Sequence, residues 1–446
     1  MPHPPHATHT IHTTHASADD TQRTLNTHIL RKLMPLLVLV YVISFIDRTN
    51  IALAKTHIEI DLGISSAAYG LGAGLFFLSY ALLEVPSNLI MHRVGARLWI
   101  TRIMVTWGLL SAGMAFIAGE ASFYAMRLLL GAAEAGLFPG VMLYLTYWFG
   151  REQRARAIGY FLLGVCIANI LSGPVGGALL QMDGLLGWRG WQWMFVIEGL
   201  PAVALAWVVW KKLPDGPASA PWLTKAQSRQ VLEHLRAEQE QQARSGTTGQ
   251  SLRDCLADRQ IWLAIFIYFC HQISIYTVIF FLPGIIGSYG TLSPLQIGLL
   301  NSVPWIAAAI GAAWLPRLAT TAQRCRHMLL AGLSTMATGL LLAALAGSSA
   351  PVLGLLGFSL TALMFFAVQS VIFLFPASRL AGAGLASGIA LVNTCGLAGG
   401  FIGPTAMGLI EQATGSTRNG LLIIAALLVA AALASARLRQ GQEKRG

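Results

Sequence analysis

Two pairs of charged residues interrupt stretches that are otherwise apolar. Asp47 and Arg48 stand side by side between Tyr41-Val-Ile-Ser-Phe-Ile and Thr-Asn-Ile-Ala-Leu-Ala, and Arg127 and Glu134 bound the run Arg-Leu-Leu-Leu-Gly-Ala-Ala-Glu. In a helix seven positions make nearly two turns, so Arg127 and Glu134 share a face about 10 Å apart along the axis. Two guanidinium forks beside two carboxylates leave a site roughly neutral when empty, yet able to hold a ligand carboxylate bidentately. A carboxylate in such surroundings is also a natural proton carrier, because burial favours its neutral form and a neighbouring arginine its charged form. The plainer reading is a static ion-pair network that only joins helices, and residue types alone leave both open.

Uncharged polar residues in other apolar runs are secondary candidates. Tyr80, Asn169, His271, Gln272, Gln369 and Asn393 can each bond a ligand hydroxyl, although a helix-to-helix hydrogen bond is the commoner role for any one of them. His271 adds a group that titrates near neutral pH to a second half otherwise poor in charge. Phe365, Phe366 and Phe373 can stack on an aromatic ligand or simply pack. Glu84, Arg93 and Arg97 fall at one end of their runs, where they can pair and close a gate; Glu198 lies well inside a run and has no evident role.

The elements that position these residues are membrane spans. The 446-residue chain is 55% hydrophobic and 11% charged, too apolar for an ordinary globular surface. Stretches of about 20 apolar residues, the length that crosses a bilayer as a helix, recur along it. They fall at 32–55, 67–91, 97–118, 121–149, 153–180, 190–210, 259–287, 293–315, 326–346, 351–376, 381–411 and 417–436. The expected fold is an all-α membrane protein of twelve transmembrane helices in two six-helix bundles. A disordered His/Thr-rich tail occupies 1–28, the first bundle 29–210, a linker with an amphipathic helix (Ala226 to Gln241) 211–258, the second bundle 259–437 and a basic tail 438–446.

The net charge of +11 is not spread evenly. Alternate breaks carry Arg31, Lys32, Arg93, Arg97, Arg151, Arg154, Arg156, Arg317, Arg324 and Arg326, whereas the others hold only Lys55, Arg189 and Arg418. By the positive-inside rule both termini are cytoplasmic, and the basic residues orient the chain rather than recruit nucleic acid. No removable signal peptide is expected. Cys166, Cys255, Cys270, Cys325 and Cys395 show no CxxC spacing, so neither a disulfide framework nor a metal site is expected of them. The repeated His3, His6, His9, His12 and His15 can bind metal, but a polar tail is the simpler reading. Clustered glycines such as Gly173, Gly176 and Gly177 suit close helix packing rather than nucleotide binding. No HExxH, GxSxG or P-loop motif points to an enzyme.

Several segments carry a resemblance. Phe45-Ile-Asp-Arg-Thr-Asn-Ile-Ala-Leu-Ala, Glu84-Val-Pro-Ser-Asn-Leu, Val94-Gly-Ala-Arg, Arg127-Leu-Leu-Leu-Gly-Ala-Ala-Glu-Ala-Gly-Leu-Phe-Pro-Gly, Trp191-Gln-Trp-Met-Phe-Val-Ile-Glu-Gly and Gly388-Ile-Ala-Leu-Val-Asn resemble the anion:cation symporter family of the major facilitator superfamily. Within it the chain is most similar to bacterial permeases for phthalate, tartrate and 4-hydroxyphenylacetate. The resemblance implies a bacterial inner-membrane protein that imports a small organic anion, an aromatic or hydroxy mono- or dicarboxylate, with a proton as coupling ion and no other cofactor. It implies that Arg48 and Arg127 bind substrate carboxylate, that Asp47 and Glu134 couple protons, and that Tyr80 and Asn393 line the cavity. His271, Gln272 and Gln369 complete the expected substrate site, with membrane lipid as surroundings and a monomer as the functional unit. The chain departs from the superfamily pattern at Asn88 and His92, where Gly and Asp are usual, and at Thr320-Thr321, so the salt-bridge latch of the cytoplasmic gate is not of the usual form. The alternative on the same fold is a proton-driven antiporter that exports drugs or metabolites.

Overall fold

The computed structural model describes residues 10–244, 252–379 and 382–439. Among these, 12 helices are long and apolar enough to cross a membrane: Gln22–Leu62, Ser66–Val94, Ala96–Phe116, Glu120–Thr146, Gln153–Leu180, Gly190–Lys212, Arg259–Gly287, Pro294–Leu318, Ala322–Ala346, Pro351–Pro376, Gly388–Thr414 and Arg418–Ser435. They are called the first to twelfth spans below. Helices are the answer the solvent demands, because hydrocarbon offers no partner for a free backbone N–H or C=O. Start signals are explicit: Ser65 caps the second span at Ala68 N, and Ser293 with Gln296 forms a capping box before the eighth.

The first helix runs Thr10–Leu62, longer than its sequence suggests at both ends. The tail expected to be disordered over 1–28 is helical from Thr10 onward; residues 1–9, with His3, His6 and His9, lie outside the described residues. No proline or glycine separates Ala7 from Pro35, and Leu25, Ile29 and Leu33, spaced four apart, are buried in the first bundle's core. The linker helix expected over 226–241 is Lys225–Arg244. It packs on the first bundle through buried Val231, while Trp222 just before it stacks on Trp148 at 5.4 Å.

The bundles meet where the second span packs on the eleventh, the fifth on the eighth and the first on the seventh. Glycines permit the closest approaches: a side chain at Gly70 would strike the Pro404 carbonyl and Gly408, one at Gly173 the backbone of Gly298, and one at Gly177 that of Pro294. All these points lie toward the end away from the termini. The hydrophobic core divides accordingly. Ile51, Tyr69 and Phe77 of the first half join one continuous cluster with the second half, whereas Leu37, Trp107 and Tyr144 belong to a separate cluster whose buried residues come from the first half and the linker, with Phe366 of the second half packed against it. The two halves are thus fused at one end.

Lys55 belongs to that seal. The sequence places it in a break between spans, but because the helix continues to Leu62 it lies in a buried turn, 4% exposed. Its Nζ pairs with Glu59 at 3.0 Å and with Glu411 of the eleventh span at 3.0 Å, above the rings of Tyr69 and Phe281. Removing the cation from such a buried cluster leaves two carboxylates facing each other. Lys55→Gln is therefore expected to open this end. Ala67 N and the Gln412 side chain hydrogen bond across it at 3.2 Å. The crosslinking yield between Ala67→Cys and Gln412→Cys, in a background lacking the native cysteines, should fall about fivefold, the effect of about 1 kcal/mol.

Candidate functional site

The strongest feature of the interior is a pair joining the first and fourth spans. Arg48 Nη2 lies 2.5 Å from Glu134 Oε1, with the two side chains 10% and 5% exposed. Ser44 Oγ, one turn earlier on the first span, donates to the same oxygen at 2.5 Å. The guanidinium also lies over three rings, Phe45 at 4.9 Å and Phe76 and Tyr80 each at 5.2 Å. Tyr80, expected to line a cavity, thus forms part of the aromatic cradle that holds Arg48. Tyr276 of the seventh span is an electrostatic neighbour of both members of the pair and packs on Phe77 at 4.2 Å, so the second half reaches the site through its phenol.

Asp47 and Arg127 go elsewhere. Neighbours on a helix point about 100° apart, so Asp47 turns from Arg48's partners toward the third span. There it accepts a hydrogen bond from Ser111, and one from Asn50 Nδ2 at 3.3 Å. Arg127 is 1% exposed; Nε donates to the Gly72 carbonyl at 3.2 Å and Nη2 to that of Ala73 at 3.5 Å. Phe76 lies between the two arginines, 4.9 Å from Arg127. The shared face of Arg127 and Glu134 packs on the second span and bonds the first through Ser44 and Arg48 instead of standing open, and the four charges form three arrangements.

The fourth span breaks immediately after Glu134. Its halves are Glu120–Glu134 and Leu137–Thr146, joined through Gly136 at φ +91°. Pro139 explains the break: it has no N–H for the Ala135 carbonyl, and its ring would collide with that carbonyl in a continuous helix. Ser87 of the second span replaces the missing donor, its Oγ bonding Ala135 O at 2.7 Å while accepting from Trp99 Nε1 at 2.9 Å. Glu134 is therefore held at a helix end, where the backbone can adjust without disrupting a whole span. Ser87→Ala would leave both partners unpaired; a loss of about 1–3 kcal/mol is expected, read as a fall of about 2–6 °C in Tm of the detergent-solubilised protein.

The second half contributes less directly than its sequence suggests. His271 is fully buried and its Nε2 donates to the Phe365 carbonyl at 2.9 Å, a bond between the seventh and tenth spans. Gln369 Nε2 donates to Tyr268 OH at 3.2 Å, and Gln272 is buried with its Oε1 unbonded. Asn169 Nδ2 bonds the Val165 carbonyl of its own helix at 2.9 Å. Asn393 is half-buried. Phe365 packs inside the second bundle against Trp305, and Phe373 against Tyr268. Of the gate candidates, Arg97 pairs with Asp215 of the linker, through a backbone bond of 2.9 Å and a side-chain approach of 4.0 Å. Arg93 is exposed, and Glu84 has no ion-pair partner among the described residues. Sequence reasoning missed Ser44, Ser111, Phe76 and Tyr276, which carry no charge, and misplaced Lys55.

The family profile of the Major Facilitator Superfamily matches residues 37–404. A relative from Agrobacterium vitis named "Putative tartrate transporter" is 40% identical over 427 residues, covering 95% of this chain and 97% of its own. A "Quinolone resistance transporter" of Acinetobacter baumannii is also 40% identical, over 402 residues, with 89% and 91% covered. The crystal structure of a D-xylose-proton symporter superposes with a TM-score of 0.73 over 93% of this chain and 99% of that one, at 15% identity, a likeness of fold.

Proposed function

The chain belongs to the major facilitator superfamily, and from that premise we propose that it imports a small hydroxy- or aromatic carboxylate together with a proton. It is a multi-pass membrane transporter and not an enzyme, as its relatives are. The observation that carries the finer reading is the buried Arg48–Glu134 pair. A substrate carboxylate and the Glu134 carboxylate are competing partners for one guanidinium fork. Protonation of Glu134 removes its charge and leaves Arg48 free to take the substrate; deprotonation returns Arg48 to Glu134 and expels the anion. Linkage requires that substrate in turn favours the proton on Glu134. The tartrate-transporter name of a 40% identical relative supports a hydroxy-dicarboxylate among the candidates.

The charge asymmetry of the breaks between spans supports cytoplasmic termini in a bacterial inner membrane. With that orientation the sealed end faces outward. Glu134 and Asp47 are the proton carriers of this reading, Arg48 the substrate ligand, Tyr80 and Tyr276 the walls beside it. A single chain holds the complete site.

Export is the second reading, favoured by one observation: a quinolone-resistance transporter is as similar in identity as the tartrate one. Proteoliposomes separate the two. Labelled tartrate, phthalate and hydroxyphenylacetate should each be offered outside under an inward proton gradient. Accumulation of any of them, abolished by a protonophore, is the expected result. Proton-driven efflux of a quinolone with no uptake of any anion would replace import by export.

A further inference from the structure

Glu198 of the sixth span is a further buried carboxyl with no part in the site above. It is 6% exposed, and neither of its oxygens receives a hydrogen bond among the described residues. The groups around it come from three spans. The first offers Asn50 and Asp47, the latter a like charge. The fifth offers Gly176, where an added side chain would come 3.5 Å from Glu198 Oε1, and Ser111 of the third, which packs beside Gly199, is already given to Asp47. Of the cations nearby, Arg48 is committed to Glu134, while Arg127 acts on Asp47 and not on Glu198. An ionised Glu198 would be a charge without a counter-ion in a low-dielectric interior, beside a second negative group.

Asn50 shows what is missing. Its Nδ2 donates to Asp47, while its Oδ1, in a residue 1% exposed, accepts nothing. An unbonded amide oxygen and an unbonded carboxylate are both acceptors, and what joins two acceptors is a proton. Turning the amide over would exchange the roles of the two carboxyls without removing the need, since an amide has one donating end and one accepting end. Because Asp47 also accepts from Ser111, the negative charge is better placed on Asp47.

We propose that Glu198 is a further proton-binding site, holding one proton as a carboxylic acid in this conformation and donating its O–H to Asn50 Oδ1. The proton is taken from water as an O–H bond forms on one carboxylate oxygen, and the acceptor Asn50 Oδ1 then gains a donor in the chain Glu198–Asn50–Asp47–Ser111. The proposal rests on buried charge alone and stands whether the chain carries tartrate, a quinolone or something else.

Infrared spectroscopy of the purified protein at neutral pH tests it directly. Wild type should show a buried carboxylic C=O stretch that Glu198→Gln lacks, and Asn50→Leu should move that band to higher frequency because the O–H loses its acceptor. Glu198→Gln is isosteric with the neutral acid, so its Tm should stay within about 3 °C of wild type. An unchanged band in Glu198→Gln, or a collapse of its stability, would overturn the proposal. So would sodium-dependent stabilisation of wild type that Glu198→Gln abolishes, which would make the missing ligand a metal cation.

Discussion

Glu134→Gln is expected to lower the accumulation of a transported carboxylate by about 5- to 150-fold, the range that ordinary coupling free energies of 1–3 kcal/mol span, while exchange of substrate across the membrane persists. The reasoning lies in the competition for Arg48. In the structure Glu134 Oε1 takes both Arg48 at 2.5 Å and Ser44 at 2.5 Å. Glutamine keeps the volume and the capacity to accept from Ser44 but never carries the charge. Arg48 is then permanently available, as it is in wild type only after protonation. Substrate binds and exchanges, but its binding no longer draws a proton, so a proton gradient has nothing to act through. Uptake driven by an inward proton gradient, set beside counterflow from substrate-loaded liposomes, measures both quantities. The sign with pH follows. In wild type, lowering the outside pH steepens the inward proton gradient and speeds uptake, whereas the glutamine variant should respond little. If the variant still concentrates substrate against its gradient, coupling resides elsewhere and Glu134 is only a static partner of Arg48.

Membrane architecture could be read from sequence because hydropathy over about 20 residues is a strong, local signal. The seventh and tenth spans match their expected limits, 259–287 and 351–376, residue for residue. What hydropathy does not encode is which way a side chain turns. Asp47 and Arg48 look like one site in sequence, yet a rotation of 100° sends one to Ser111 and the other to Glu134. The partners lie 64 and 86 residues away, and a serine in a span carries no mark that distinguishes a ligand of a carboxylate from an ordinary packing residue. Lys55 was misread for a related reason. A lysine near the expected end of a span suggests an interface with water, and only the added turns to Leu62 and the arrival of Glu411 from the other half bury it. The break after Glu134 was legible in principle, since Gly136 and Pro139 are both present; the apolar residues around them masked it.

Arg127→Ala is expected to cost about 3–5 kcal/mol, the usual consequence of removing one charge from a buried set. The loss of uptake that follows should come mainly from lost stability. Arg127 is 1% exposed, and Nε and Nη2 each give a hydrogen to a carbonyl of the second span, Gly72 and Ala73, so in this state its guanidinium is tied to that helix. What it supplies is position and charge. It fixes the fourth span against the second, lies against Phe76 as Arg48 does, and keeps a positive charge near Asp47. Arg127→Lys separates the two roles. It retains the charge but cannot reach both carbonyls with one planar group, so a clear fall in Tm with KM changed less than about threefold, under 1 kcal/mol, is the expected outcome. An unchanged Tm with KM raised tenfold or more would show that Arg127 meets the substrate in another state of the cycle, after the second span has moved and released it. The binding site would then contain two arginine forks, and a dicarboxylate would be its natural ligand.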